Sequence, residues 1–138
     1  MAFDPDHVEP LWRLIEQLDG DLDALERVCE SLNQGKIGRH RWDWEIAVSE
    51  LMEERFREHL PADLQDDQGP LQDHARWVVG QGEALVRAVL ADPSSIPKVS
   101  TSSGVADLGG ALDDLFDRRF GGRIPWVPAS WRGTTAPK

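Results

Sequence analysis

The stretch 73-DHARWVVGQGEALVRAVLADP-93 decides the fold, because it is the longest run of the chain with one unbroken apolar stripe. Asp73 lies in its first turn, where a carboxylate meets the positive end of the helix dipole. Asp92-Pro93 ends the pattern, since the residue before a proline disfavours helical geometry. The spacing predicts one central helix over residues 73–93. The residues of the stripe are Ala75, Val78, Val79, Gly82, Leu85, Val86 and Val89.

Four further stripes of helical period flank this stretch, at about residues 11–18, 22–32, 42–60 and 105–120. The segment 61-PADLQDDQGP-70 is polar and bracketed by prolines, which is typical of a surface loop. With 138 residues, of which 40% are hydrophobic, the chain fits one domain. We therefore predict an all-α fold, a single compact domain of about five helices over residues 1–125. A tail containing proline and tryptophan follows, residues 126–138.

The charge of the chain is unevenly distributed. Residues 1–117 contain 10 Lys+Arg and all 25 Asp+Glu, a balance of −15, whereas residues 118–138 contain five basic residues and no acidic one. An acidic body repels phosphate backbones, which argues against nucleic acid as a partner. It favours another protein, in particular a basic one.

The sequence also bears on location. No apolar run approaches the roughly 18 residues that span a membrane, and the first ten residues carry acids where a signal peptide carries basic residues. The single cysteine, Cys29, lies on an apolar stripe and has no second cysteine with which to form an internal disulfide. These features predict a cytoplasmic protein that does not enter a membrane.

The glycines of Gly80-Gln81-Gly82 allow two interpretations. They could open a dinucleotide-binding loop, but the third glycine of that motif would fall on Leu85, and no further strands follow. Glycine inside a helix costs about 1 kcal/mol relative to alanine, so its presence favours a close approach by another backbone. We predict close packing at Gly80 and Gly82, with Gly82 touching a neighbouring helix.

No group of residues has the spacing of a metal or catalytic site. Asp19, Asp21, Asp23 and Glu30 occupy four positions of a calcium-loop template, but its sixth position is Ala24 instead of glycine. A capped helix start explains these acids better. The histidines are scattered, and no serine lies in a GxSxG context. We therefore assign no catalytic, cofactor-binding or metal-binding residue and expect no cofactor, which favours a binding protein over an enzyme.

Tryptophans beside charged or proline-rich segments are candidate interaction residues, because an amphipathic ring can anchor a partner. They are joined by His40, which lies in the basic segment 36-KIGRHR-41 and is expected to be a solvated loop residue. Alternatively, the tail tryptophans pin the tail onto its own domain. A second alternative is an enzyme or small-molecule site in a pocket near His40, Trp42, Trp44 and Trp77. The candidate interaction residues are His40, Trp42, Trp44, Trp126 and Trp131.

Several short motifs together resemble a known family. They are 11-LWRLIE-16, then 76-RWVVGQG-82 running to 91-ADPSSI-96, and the segment from Phe116 to Pro125. They are similar to an uncharacterised bacterial domain family whose members occur alone or beside WGR domains, in proteins labelled molybdenum metabolism regulators. In that family one residue separates the arginine from the tryptophan, whereas here Arg76 is followed directly by Trp77. The resemblance implies an α-helical cytosolic domain of unknown activity, and no catalytic residue.

These observations together predict a small acidic intracellular module for protein interaction or regulation. A sharper form of this hypothesis is an immunity or antitoxin-type inhibitor that uses its acidic face to block a basic toxin, since charge complementarity speeds such association.

Overall fold

The structure, a computed structural model, describes residues 3–101 and 104–124. This part of the chain is all helical and contains no β-strand. Short 3₁₀ turns lie at Pro5–Val8, Leu22–Ala24 and Pro93–Ser95. The helices are α1 (Glu9–Leu18), α2 (Leu25–Val28), α3 (Gln34–Glu50), α4 (Glu54–Arg57), α5 (Ala62–Gln65), α6 (Gln68–Gly80), α7 (Glu83–Ala91) and α8 (Leu108–Phe120).

The all-α prediction is confirmed, but about five helices is too few. Eight helices are present among the described residues, because several predicted elements are divided. The third stripe separates into α3 and α4 where Glu53 is extended, with a ψ of 158°. The predicted loop 61–70 instead contains α5 and the start of α6, which the side chain of Asp67 caps by accepting from the Gly69 N–H at 3.2 Å.

The central helix of the fold is α3, which contacts α1, α6 and α8. It begins earlier than expected because Asn33 caps it, accepting a hydrogen bond from the Lys36 N–H at 2.9 Å. The basic segment 36–41 is therefore helical, and the prediction of a connecting loop is wrong. The buried residues of α3 include Ile37, Trp44, Ala47 and Val48.

The prediction of one continuous helix over residues 73–93 is also wrong, because the helix is interrupted between α6 and α7. Gly82 has a φ of 109° and a ψ of −177°, a conformation that is essentially restricted to glycine. The apolar positions on both sides of the break remain buried, including Val78, Val79, Val86 and Val89.

Helix α8 packs closely against α3 at Gly109. A methyl group there would lie 2.7 Å from Nε1 of Trp44, so only glycine fits without movement. At the other end of α8, Arg119 donates hydrogen bonds to the carbonyl oxygens of Cys29, at 2.8 Å, and Leu32, at 2.9 Å. These bonds hold α2 against the end of α8, which stops at Gly121, directly after the predicted stripe 105–120.

Two further predictions concern the C-terminal tail and the absence of a membrane-spanning helix. The predicted tail, residues 126–138, lies outside the described residues. Among the helices of residues 3–101 and 104–124, none combines the length and apolar character needed to cross a membrane.

Candidate functional site

The candidate interaction residues on α3 are in or beside the core and do not form an exposed surface. His40 is 8% exposed, Trp44 is 2% exposed and Trp42 is half-buried. Trp77, from the alternative pocket, is 9% exposed. None of these four side chains lines the cleft described below. Trp126 and Trp131 lie outside the described residues.

The expectation that His40 is a solvated loop residue is wrong. Its Nδ1 atom is buried, and no described residue forms a hydrogen bond with it. Burial lowers the pKa of His40 from 6.5 to about 4, and the neighbouring charges of Arg39 and Lys36 add to this effect. The imidazole is therefore neutral at pH 7. Its burial gives a substrate no direct access, so it does not have the placement of a general base.

A different feature, a polar cleft between α1 and the break that separates α6 from α7, is the best candidate for a site. Its volume is about 500 Å³, within the range of small-ligand sites. We call it the glycine cleft. Its lining residues are Trp12, Ile15, Glu16, Asp19, Gly20, Gly80, Gln81, Gly82, Glu83, Ala84 and Gly104.

Backbone conformation shapes this cleft. Helix α1 ends where Asp19 adopts a left-handed conformation, with a φ of 49°, followed by Gly20 with a φ of 79°. On the opposite side, a methyl group at Gly80 would lie 2.9 Å from the carbonyl carbon of Val105. Gly80 therefore makes the close backbone contact expected of it. Gly82 does not, since a methyl group there would meet only Ile15, at 3.9 Å, and its glycine is required by its φ angle.

The charged side chains of the cleft are mostly acidic. Glu16, Asp19 and Glu83 line it. Arg13 partly offsets them, because its Nη1 lies 3.4 Å from Oε2 of Glu16 and its Nη2 lies 3.9 Å from Oε1 of Glu83. Arg87 also pairs with Glu83, at 2.8 Å. Asp19 has no ion pair to a basic residue within the described part of the chain, so negative charge remains at this side of the cleft.

Helix α7 opens into the same cleft. Gly82 is its N-cap residue, and no side chain in the described part of the chain caps the helix. The backbone N–H groups of a first helical turn have no partners within the helix and carry partial positive charge. The cleft therefore combines carboxylates on the α1 side with the positive end of a helix dipole on the α7 side.

Other side chains that could take part in binding or catalysis have structural roles instead. The side chain of Asp21 accepts from the Asp23 N–H at 2.9 Å, which is the capping role expected for this acidic segment. Residues 3–101 and 104–124 contain no group of three or more His, Cys, Asp or Glu side chains that could hold a metal ion. Cys29 is fully buried, and burial raises the pKa of its thiol to about 11, so little reactive thiolate is present.

Comparison of the chain with protein-family models, with curated proteins and with solved structures finds no match. The family resemblance described above stays a prediction.

The sequence contained part of the signal for the glycine cleft. The helical period places Gly80 and Gly82 within one helix. Asp19 reads as part of a capped helix start, and no motif in the sequence marks Glu16 as a site residue. A glycine at the end of the α1 stripe was visible in the sequence as Gly20, but its proximity to the α6–α7 break depends on tertiary packing.

Proposed function

We propose that this protein is an acidic binding module that receives a basic group of a partner protein in the glycine cleft. The observation that carries this proposal is the placement of Glu16 and Asp19 beside a cleft of about 500 Å³ in which Asp19 has no ion pair to a described basic residue. A lysine or arginine side chain would supply the missing positive charge.

The charge of the whole chain supports the same kind of partner. Its formal net charge is −10 at pH 7, and residues 1–117 alone have a balance of −15. Long-range attraction of this kind raises association rates with basic proteins and weakens as salt screens it. An inhibitor of a basic toxin is one specific form of this role. A basic nuclease-like reading frame beside the gene would favour that form, and the cytoplasmic location stays part of the proposal.

The test is affinity capture from a native lysate at low and high salt, with two matched variants. Glu16→Gln/Asp19→Asn removes two charges from the cleft, and asparagine tolerates the left-handed backbone at position 19. Asp63→Asn/Asp66→Asn removes two charges from exposed positions in and next to α5, outside the cleft.

We expect the wild type and the α5 variant to capture the same basic protein, and the cleft variant to bind it at least tenfold more weakly. Equal weakening in both variants would assign the effect to net charge alone. Undiminished binding by the cleft variant would refute the role of the cleft.

A second candidate function is suggested by the uncapped start of α7 opposite the carboxylates. This arrangement suits a small zwitterionic ligand, whose carboxylate would face the helix N-terminus and whose amine would face Glu16 and Asp19. Amide NMR titration with free amino acids tests this alternative directly. It requires saturable shifts at Gly20 and Gly82, and their absence at millimolar concentrations would exclude it.

A further inference from the structure

His74 connects the middle of α6 to the segment that follows α7. Its Nε2 lies 2.7 Å from the carbonyl oxygen of Pro97, and its ring stacks on Trp77 with the centroids 5.8 Å apart. The residue is only 2% exposed. Because a carbonyl oxygen can only accept, the neutral imidazole donates from Nε2 and keeps its lone pair on Nδ1. That Nδ1 atom is buried and has no hydrogen-bond partner among residues 3–101 and 104–124.

The rest of the segment is held largely by local contacts. Asp92 Oδ1 accepts from the Ser94 N–H at 3.2 Å, which shapes the turn after α7. Lys98 Nζ donates to the carbonyl oxygens of Ser94 and Ile96, at 3.0 and 2.9 Å. Ile96 itself is buried in the core. The hydrogen bond from His74 differs from these polar contacts because its donor lies on α6, 23 positions away from Pro97 in the sequence.

The charges around His74 disfavour its protonated form. Burial lowers its pKa below the ordinary value; the hydrogen bond to Pro97 opposes this effect, and the charge of Lys98 adds to it. The helices α3, α5 and α7 also contact α6, but no charged residue on them contributes to the shift within the described chain. At the start of the segment, the charge of His59 helps to lower the pKa of Asp92, and it does not contribute to the pKa shift of His74.

We propose that His74 and the Pro97 carbonyl form an acid-sensitive clasp, which releases residues 96–98 from α6 when the imidazole takes up a proton. Protonation places a second N–H at Nδ1, where none of the described residues offers an acceptor, and puts a cation beside Lys98. Opening the clasp lets water solvate the imidazolium, which is buried in the closed form, whereas Lys98 is already exposed. The helices stay folded during this step, and the proposal is independent of the function proposed for the glycine cleft.

Hydrogen exchange measured by mass spectrometry at pH 7 and pH 5, corrected for intrinsic rates, tests the clasp. A solvated histidine has an ordinary pKa of 6.5, and burial lowers the pKa of His74 below it. We therefore expect exchange in residues 96–101 to rise at pH 5, by at most roughly 20-fold, beyond any change in α3 and α8. In His74→Gln the side-chain amide can donate to the same carbonyl but does not titrate, so the acid response should disappear. The control variant His59→Gln should keep it.

Three results would overturn the clasp: exchange in residues 96–101 that does not depend on pH, a full response in His74→Gln, or a response lost in His59→Gln. If His74→Gln folds poorly, the ¹⁵N shifts of the His74 ring in the wild type replace it. Protonation of His74 and exposure of residues 96–98 at the same pH would support the proposal. Exposure while the ring stays neutral would refute it.

Discussion

Replacing His40 by glutamine should make the protein less sensitive to acid. His40 is 8% exposed, and burial together with Arg39 and Lys36 lowers its pKa from 6.5 to about 4. The unfolded chain therefore binds a proton at this residue at a higher pH than the folded chain does. Above pH 6.5 the His40 ring is neutral in both states, and its contribution to stability is fully present. As the pH falls from 6.5 towards 4, the unfolded chain takes up the proton first, and this contribution is lost.

The size of the effect follows from the two pKa values. Each pH unit between them corresponds to about 1.4 kcal/mol of unfolding free energy. Between pH 7 and pH 5, the preferential protonation of the unfolded state at His40 therefore lowers the free energy of unfolding by about 2 kcal/mol. Asp43 and Glu50 act in the opposite direction, because burial raises the pKa of each carboxyl. Their contributions are present in every variant and cancel when variants are compared.

The assay is urea denaturation at pH 7 and pH 5 and constant ionic strength. The wild type should lose about 2 kcal/mol more than His40→Gln between these pH values. His7→Gln is the matched control, because the side chain of His7 is 82% exposed and removing it also deletes one imidazole. We expect it to behave as the wild type does. An equal loss in the wild type and His40→Gln would refute the reasoning, as would a loss abolished by His7→Gln.

The remaining predictions use the same denaturation assay at pH 7. Gly109→Ala should destabilise the protein by about 1–3 kcal/mol through overpacking against the indole of α3, whereas its neighbour Gly110→Ala, with no atom within 4 Å, should be neutral or stabilising by up to about 1 kcal/mol. Gly82→Ala should cost about 1–3 kcal/mol because of its φ of 109°. Arg41→Ala should cost about 3 kcal/mol or more by leaving a buried carboxylate unpaired, while exposed Arg13→Ala stays within about 0.5 kcal/mol. Reversal of either contrast would contradict the contacts described.

Helical period predicted the fold class because helices such as α1 and α8 each bury one apolar stripe. The stripe of α1 is an example, since Leu11, Leu14, Ile15 and Leu18 are all buried. The end of α8 was also predictable, because Gly121 follows its last apolar residue and has a φ of 77°. Signals of this kind are local, and they identify which segments are helical better than how those segments are divided.

The role of α3 could not be read from its sequence in the same way. Arg41 is buried because its Nη1 contacts Glu45 at 2.8 Å and its Nε contacts Asp113 at 3.2 Å, and Asp113 lies 72 positions away. Asp43 is buried and paired with Arg39 at 2.9 Å. Charged residues in a sequence normally indicate a solvated face. The Arg39–Asp43 and Arg41–Glu45 pairs lie within α3, four positions apart, and it is the packing of other helices around them that reverses this expectation. The same burial removed His40 and Trp44 from the candidate surface.

The glycine cleft shows why a smooth pattern can conceal a break. A glycine in a helical sequence fits either a close backbone contact or a positive φ, and both leave the apolar residues around it buried. Gly80 has the first role, with Val105 as its neighbour, and Gly82 has the second. Since Val79 and Val86 are buried on the two sides of the break, the stripe continues through it. The turn that opens the cleft therefore left no irregularity in the hydrophobic period, and a site at this position could be recognised only from the backbone conformation.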